Sequence, residues 1–398
     1  MELIVYLCKM KNRLLNHIDC FSGPGGICTG FAAANINTIA AIEKVASCVQ
    51  TYSANHPKVN VIHKDIREVS EEDIKEAIGD KVIDLVTSGM PCETFSTAGA
   101  KSRSSYDYRQ QLYSEGIRIA KIVNAPMILF ENVPAILTKR VEKNGTRLIV
   151  EDIIQELKEN GYIYTCQGIL RAIDFGVPQT RERFFLLATN NPNYKLELPK
   201  AICETPIAIK DVFVGLPLME ANDKNEHTEY VEGDSEYTKL LKDSAFWGIK
   251  DNGNTLTFYN SPKHRETTIE RFKLIKQGES LVDIFKKHTQ QELEQLQARK
   301  IITKKWFIQR NKRLEWDKPS KTITSHCLDE LIHPVLNRAL SVRECARLQS
   351  FPDSYVFKGP YIVPHLSKEQ DMYEQIGDAV PPLLAYYWGI KLKEIMGF

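Results

Sequence analysis

The sequence predicts an α/β protein: a doubly wound, open parallel sheet with a second, smaller domain. Three observations carry that reading. Short runs rich in Val, Ile and Leu alternate with helical stretches through residues 14–189. Two of those runs break abruptly into Gly- and Pro-containing turns, the form of a buried strand delivering a loop at the sheet's carboxyl edge. The alternation then lapses from Asn190 to about Asn337 and helical patterning closes the chain, which at 398 residues exceeds one comfortable core.

Taken in order, residues 14–20 form an apolar strand that runs into Phe21-Ser22-Gly23-Pro24-Gly25-Gly26 and then an Ala-rich helical stretch. Glycines there let the backbone approach a bound nucleoside closely, and an acid about 20 residues on, after the second strand, can hold ribose hydroxyls. Glu43, following the 38–42 run, stands at that place. A third strand, 59–63, leads to Asp65-Ile66, read either as a further carboxylate at the sheet edge or as a helix cap. The 81–88 run ends in Gly89-Met90-Pro91-Cys92, which sets a thiol at a strand's carboxyl end, placed either for chemistry or simply to fill a turn. A polar loop, 98–107, follows and could close over a substrate. Residues 109–123 read as a helix and 125–130 as the next strand, delivering Glu131-Asn132-Val133-Pro134. An acid at the end of a buried strand is costly unless it binds something, so Glu131 is either a site acid or a salt-bridged structural one. A helix at 149–160 and a strand at 161–170 precede Gln179-Thr180-Arg181-Glu182-Arg183 and the apolar strand 184–188. Strand period puts Gln179, Arg181 and Arg183 on one face, suited to an anionic or carbonyl-bearing ligand.

Charge is unevenly spread. The total is +1, from 52 basic and 51 acidic residues, which argues against a chain held to nucleic acid by bulk charge. Residues 220–236 carry seven acids and one Lys, whereas 261–313 carry 14 Lys and Arg against six acids, with Trp306 and Phe307 interleaved. That segment, including Lys304 and Lys305, is patterned either as a nucleic-acid contact surface or as a solvated helical face. Near the end, Ser341 and Glu344 make a capping box for a helix over 339–349, and Gly377-Asp378-Ala379-Val380-Pro381-Pro382 opens the apolar helix 383–395. Nine Cys with no Cys-x-x-Cys pair fit reduced thiols and no metal site. No membrane-length apolar run and no secretory charge order occur, so a cytoplasmic monomer is expected.

In register, these segments resemble the cytosine-5 DNA methyltransferases across nearly the whole chain. Phe21 to Gly26 is similar to the family's first, cofactor-binding motif, and Pro91-Cys92 with Phe95-Ser96 to its nucleophile loop. Glu131-Asn132-Val133, Gln179-x-Arg181-x-Arg183, Arg343 to Asp353 and Gly377 to Pro382 match four further motifs in the family's order. Two positions depart from the pattern: Glu93 replaces the usual Gln after the nucleophile, and Asp378 the usual Asn. The resemblance implies a Rossmann-like methyltransferase sheet made of 1–189 and 338–398, with a target-recognition domain at 190–337. It implies S-adenosylmethionine as donor, contacted by Phe21, Gly23, Gly25, Gly26, Glu43, Asp65, Ile66, Pro91, Asp378 and Val380. It implies Cys92, Glu131, Arg181 and Arg183 as catalytic residues acting on a cytosine flipped from duplex DNA, with Arg181 on the base carbonyl. A paired restriction endonuclease is the expected biological partner. Three other readings stand beside it: a tRNA-methylating branch of the same family, a silent DNA-binding relative, and a nicotinamide oxidoreductase suggested by the glycine turn alone.

Overall fold

The structure, a computed structural model, describes residues 13–91, 112–141, 146–304, 310–363 and 369–398. Cys92, the 98–107 loop, Lys305, Trp306 and Phe307 lie outside the described residues. Two compact units divide the chain: Met1–Phe175 with Glu182–Ile202 and Val380–Phe398, and Gly176–Arg181 with Cys203–Ala379.

The first unit is built on one seven-stranded sheet, ordered β3-β2-β1-β4-β5-β7-β6. Its strands are β1 (Leu15–Cys20), β2 (Ile36–Glu43), β3 (Asn60–His63), β4 (Leu85–Ser88), β5 (Met127–Asn132), β6 (Tyr164–Arg171) and β7 (Glu182–Thr189). The helices between them are α1 (Gly26–Ala33), α2 (Ala46–Asn55), α3 (Glu71–Ile78), α4 (Tyr113–Ile122) and α5 (Ile149–Glu159). Strands β1 to β5 are mutually parallel, because each pair is joined by a crossover long enough to return to the same edge. One strand departs from the expected parallel order: β7 runs antiparallel to both β5 and β6, so β6 keeps the direction of the first five. Only residues 172–181 separate β6 from β7, too short a stretch for a parallel crossover. Ile18, Val86, Ile128 and Leu186 on adjacent strands are wholly buried and join one core with α4 and α5 through Ile117, Ile119, Ile153 and Leu157. Strand order reverses between β1 and β4, so loops leaving these two neighbours diverge and open a crevice at their carboxyl ends.

The second unit is organised by buried arginines. Its helices are α6 (Ile209–Phe213), α7 (Glu236–Lys242), α8 (Ser244–Trp247), α9 (Glu266–Lys273), α10 (Leu281–Lys287), α11 (Gln290–Ala298), α12 (Cys327–Glu330), α13 (Val342–Leu348) and α14 (Met372–Asp378). Every residue of α13 is buried, and Ser341 and Glu344 form its capping box as the sequence predicts. Arg338 grips Glu344 through two bonds of 2.7 Å, and Arg347 grips Asp353 at 2.9 and 2.6 Å while donating to the carbonyls of Val212 and Val214. Arg343 donates to Thr257, Pro352 and Tyr355. These bonds tie 338–355 to the middle of the chain, within the unit that holds Cys203–Ala379; the expected division grouped 338–398 with the sheet. Buried guanidinium groups must find acceptors, and here residues 212–257 supply many of them.

After α14 the chain re-enters the first unit as α15 (Pro382–Met396) and crosses α1. The crossing is close because small residues face it. A Cβ on Gly30 would lie 2.2 Å from the Pro382 carbonyl oxygen, and one on Gly389 would lie 2.6 Å from the Ala34 Cβ. Trp388 stacks at a tilt on Phe185, 5.1 Å between ring centres, and so seats α15 on β7.

Candidate active site

The glycine turn closes β1. Phe21 (φ 58°), Gly23 (φ 53°) and Gly25 (φ 99°) take left-handed backbone, and Gly25 caps α1. Only glycine enters that region without strain, so Phe21 is held there by its surroundings. The Ser22 amide donates to the Ile42 carbonyl of the next strand at 3.2 Å. The Glu43 carboxylate accepts the amides of Gly23 (2.9 Å), Lys44 (2.7 Å) and Val45 (2.8 Å). Burial pushes its pKa up, against those three bonds. One Glu43 oxygen takes two of the bonds and the other takes one, which leaves Oε2 a lone pair for a ligand hydroxyl.

Behind the turn lies a directed polar chain that the sequence reading missed. Thr38 Oγ1 contacts His17 Nδ1 at 3.0 Å, His17 Nε2 contacts Thr87 Oγ1 at 2.7 Å, and Thr87 donates to Asp19 Oδ1 at 2.7 Å. Because the Thr87 hydroxyl proton is committed to Asp19, His17 donates from Nε2 and accepts at Nδ1. Burial keeps that imidazole neutral, its pKa pushed down to about 3. Asp19 is fully buried; its Oδ2 has no partner among the described residues, nor does the hydroxyl of Ser22. Burial first, then the nearby Glu43, raises the Asp19 pKa to about 7. A carboxyl interrupting the apolar β1 run was the signal available for it.

At the end of β4, Gly89 donates to the Cys20 carbonyl at 3.3 Å. A Cβ on Gly89 would come within 3.7 Å of Glu131 Oε2 and 3.9 Å of the Phe21 carbonyl, so the turns after β1 and β4 meet the end of β5 there. Asn132 donates from Nδ2 to the Met90 carbonyl at 3.2 Å and accepts the Val133 amide at 2.8 Å, which fixes the chain entering Pro91. Glu131 pairs with Arg183 on β7, Nε to Oε1 at 2.8 Å, with both side chains 12% exposed.

Arg181 behaves differently. It belongs to the second unit, is wholly buried, and donates to the carbonyls of Ile323 (2.7 Å), Gly377 (2.9 Å) and Ala379 (3.0 Å). Gln179 is spent in the same way, giving its amide to the Leu348 carbonyl and Gln349 Oε1 and accepting the Ile323 amide. Of the expected catalytic set, the structure therefore brings together Glu131 and Arg183; it commits Arg181 to backbone carbonyls, and Cys92 lies outside the described residues.

Among the expected donor-contacting residues, Phe21, Gly23, Gly25, Gly26, Glu43, Asp65, Ile66, Pro91 and Val380 fall in the first unit and Asp378 in the second. Asp65 is engaged by Arg67 at 2.9 and 2.7 Å, which holds its pKa down at about 2, and it caps the turn Ile66–Glu68. Gln370 donates to Asp378 Oδ2 at 3.0 Å. Among the described residues no cluster of His, Cys, Asp or Glu could hold a metal ion, and no helix is long and apolar enough to cross a membrane.

Comparison with known proteins identifies the family. The C-5 cytosine-specific DNA methylase family matches residues 15–394. The type II methyltransferase M.DdeI of Desulfomicrobium norvegicum is 35% identical over 378 residues, covering 93% of this chain and 86% of that protein. M1.HphI of Haemophilus parahaemolyticus, also a type II methyltransferase, is 30% identical over 375 residues, covering 93% and 84%. Among solved structures, one described as a DNA modification methyltransferase encoded within an E. coli prophage superposes with a TM-score of 0.73 at 25% identity, covering 96% of this chain and all of that one. The Dnmt2 methyltransferase of S. pombe superposes at 0.53 with 19% identity, a likeness of fold. The chain belongs to the C-5 cytosine-specific DNA methylase family, enzymes that methylate carbon 5 of cytosine in DNA.

Proposed function

We propose that Cys92, Glu131 and Arg183 carry out this methylation on a cytosine extruded from the duplex, with Arg181 in a positioning role. The observation that carries the proposal is the Glu131–Arg183 pair beside Gly89, two residues before Pro91 and against the Phe21 carbonyl. Carbon 5 of cytosine is a poor nucleophile until the ring's delocalisation is interrupted. Addition of the Cys92 thiolate to carbon 6 does that. Glu131, oriented by Arg183, hydrogen-bonds or protonates ring nitrogen 3 and moves electron density towards carbon 5. The Arg183 guanidinium is set to polarise the base carbonyl, the role that sequence alone assigned to Arg181. Loss of the carbon 5 proton and expulsion of Cys92 restore the aromatic ring.

The donor is S-adenosylmethionine, which supplies an electrophilic methyl group on a sulfonium. The first unit suits it: left-handed backbone at Gly23 and Gly25 admits close approach, Glu43 retains a lone pair for a ribose hydroxyl, and the unpartnered Asp19 Oδ2 offers an anion to a cationic ligand. The first unit is the catalytic one in this reading, and the second contacts the duplex. Chemistry on a base requires its removal from the stack, at a cost of a few kcal/mol. The resemblance to type II methyltransferases supports pairing with a restriction endonuclease of the same sequence specificity; the same reading takes the enzyme as cytoplasmic and monomeric.

The test is methyl transfer to duplex DNA and to tRNA, with trapping on duplex containing 5-fluorocytosine. A covalent adduct with the wild type and none with Cys92→Ser is expected. An adduct with Cys92→Ser rules out that thiol as nucleophile, and preference for tRNA overturns the choice of substrate.

A further inference from the structure

The second unit holds two adjoining cavities that the chemistry above does not use. One, of about 570 Å³, is lined by Lys263, Arg265, Arg271 and Arg310 among others, and the second, of about 710 Å³, by Arg265, Arg271, Lys300 and Lys304. Together they present six cationic residues against two acids, Glu266 and Asp329, on a chain whose total charge is +1. His264 adds no charge: its Nε2 accepts the Ala339 amide, and burial pushes its pKa down to about 4. Lys263, Arg265, Lys300 and Lys304 are exposed, and none makes an ion pair among the described residues.

Arg271, on the first helix at the cavities, lines both. Its Nε donates to the Ile301 carbonyl at 2.6 Å and its Nη1 to Asn311 Oδ1 at 3.3 Å, so its plane is fixed. Three of its five N–H donors make no bond to the described protein, and it has no carboxylate partner there. Arg313 shows what a structural guanidinium looks like in the same unit: all five of its donors are taken, by the carbonyls of Ile275, His333, Leu336 and Phe272 and by Asn337. A half-buried, oriented guanidinium with no carboxylate bonded to it among the described residues, and with Asp329 as its nearby opposite charge, carries a desolvation cost that an incoming anion relieves. Burial, and then the charge of Arg310, lower its pKa, in keeping with that cost.

We infer that this pair of cavities seats the sugar-phosphate backbone of the target duplex. Arg271 takes the non-bridging oxygens of one phosphate through its unused donors, and Lys263, Arg265, Lys300 and Lys304 meet the phosphates on either side. Backbone seating is favoured over base reading because the lining is rich in donors. Distinguishing base pairs takes a pattern of donors and acceptors; the Asn311 amide is already spent on Arg271 and the Asp329 carbonyl, and the cations outnumber the two acids of the lining three to one. Phosphates only accept. The face therefore sets the register of the duplex, and other residues choose the sequence. This rests on the reading of the second unit as the one that contacts DNA.

The full chain is titrated with cognate and unrelated duplexes between 50 and 200 mM salt, with methylated sites mapped in parallel. Each phosphate contact adds about 0.9 to the slope of log affinity against log salt. Arg271→Gln should lower the slope by about 0.9, weaken both duplexes by the same factor and leave the methylated sequence unchanged. The exposed-rim double variant Lys300→Gln/Lys304→Gln should lower it by about 1.8, being two contacts at the same increment, and does not depend on how Arg271→Gln folds. An unchanged slope in the rim variant, or altered site choice at constant slope in Arg271→Gln, overturns the inference while leaving DNA contact by this unit intact. A wild-type protein whose duplex affinity ignores salt removes that broader reading as well.

Discussion

The two arginines of the Gln-x-Arg-x-Arg segment make opposite predictions when each is replaced by lysine, which keeps the charge and removes the planar fork. Arg183 meets Glu131 through Nε at 2.8 Å in a site where both side chains are nearly buried. Loss of one oriented donor to developing charge costs roughly 2.7–4 kcal/mol of transition-state stabilisation, or about 10²–10³ in turnover. Arg183→Lys should therefore fold normally and turn over that much more slowly. Arg181 spends its fork on three carbonyls, at Ile323, Gly377 and Ala379. One ammonium cannot span all three, and losing two charge-assisted bonds at about 1.5–3 kcal/mol each removes about 3–6 kcal/mol of stability. Arg181→Lys should lower the unfolding temperature first, and activity only as the protein unfolds. Single-turnover transfer of labelled methyl to a duplex gives the first quantity, and thermal denaturation followed by circular dichroism gives the second. An Arg183→Lys enzyme at wild-type rate, beside an Arg181→Lys enzyme that is fully folded and inactive, would reverse the two roles.

Further expectations follow from burial and close approach. Gly30→Ala should destabilise the enzyme by at least about 1–3 kcal/mol, since its Cβ would sit 2.2 Å from a backbone oxygen of α15 that cannot turn aside; an unchanged denaturation midpoint refutes the close crossing. Asp19 carries its proton until about pH 7, so donor binding should tighten as pH rises through 7 and then level off. Asp19→Asn should bind more weakly with no such rise, and calorimetry showing the same pH profile in both proteins excludes Asp19 from the donor site. His17, His56, His264 and His333 are held neutral by burial, with pKa values of about 3 to 4 against 6.5 when unfolded. A depressed base pKa means that unfolding takes up protons, so this stability is complete above pH 6.5 and is lost as pH falls towards 4. Asp19, raised to about 7, works the other way and offsets about one of the four protons near pH 5, and burial shifts Glu43 in the same direction. The net effect should still be a loss of stability as pH falls, and a urea midpoint that is flat between pH 6.5 and 4.5 contradicts it.

Much of the sheet was legible because its strands are continuous apolar runs ended by Gly or Pro, and because alternation with helices implies parallel neighbours. The direction of β7 was not, since an apolar run reads the same both ways; the ten residues between it and β6 were the overlooked clue. Period two put Gln179, Arg181 and Arg183 on one face of a strand, but β7 begins only at Glu182. The period could not tell the two arginines apart, because the carbonyls that occupy Arg181 come from residues 323, 377 and 379. The same long-range supply explains why no unit boundary falls near 338: Arg343 and Arg347 look like the polar face of an exposed helix until their acceptors at Thr257, Val212 and Val214 are seen. Asp65 was read in two ways, and its bonds to Arg67 give weight to the cap.

The crossing of α1 by α15 has a consequence for biosynthesis. Ala33 and Pro382 are 349 positions apart, a gap the ribosome takes roughly 20–70 s to translate. Throughout that interval the nascent polypeptide shows the Gly30 surface without its cover, a target for chaperones. Competence to modify DNA should thus arrive as a single late step, and a ribosome stalled inside the second unit releases nothing that works.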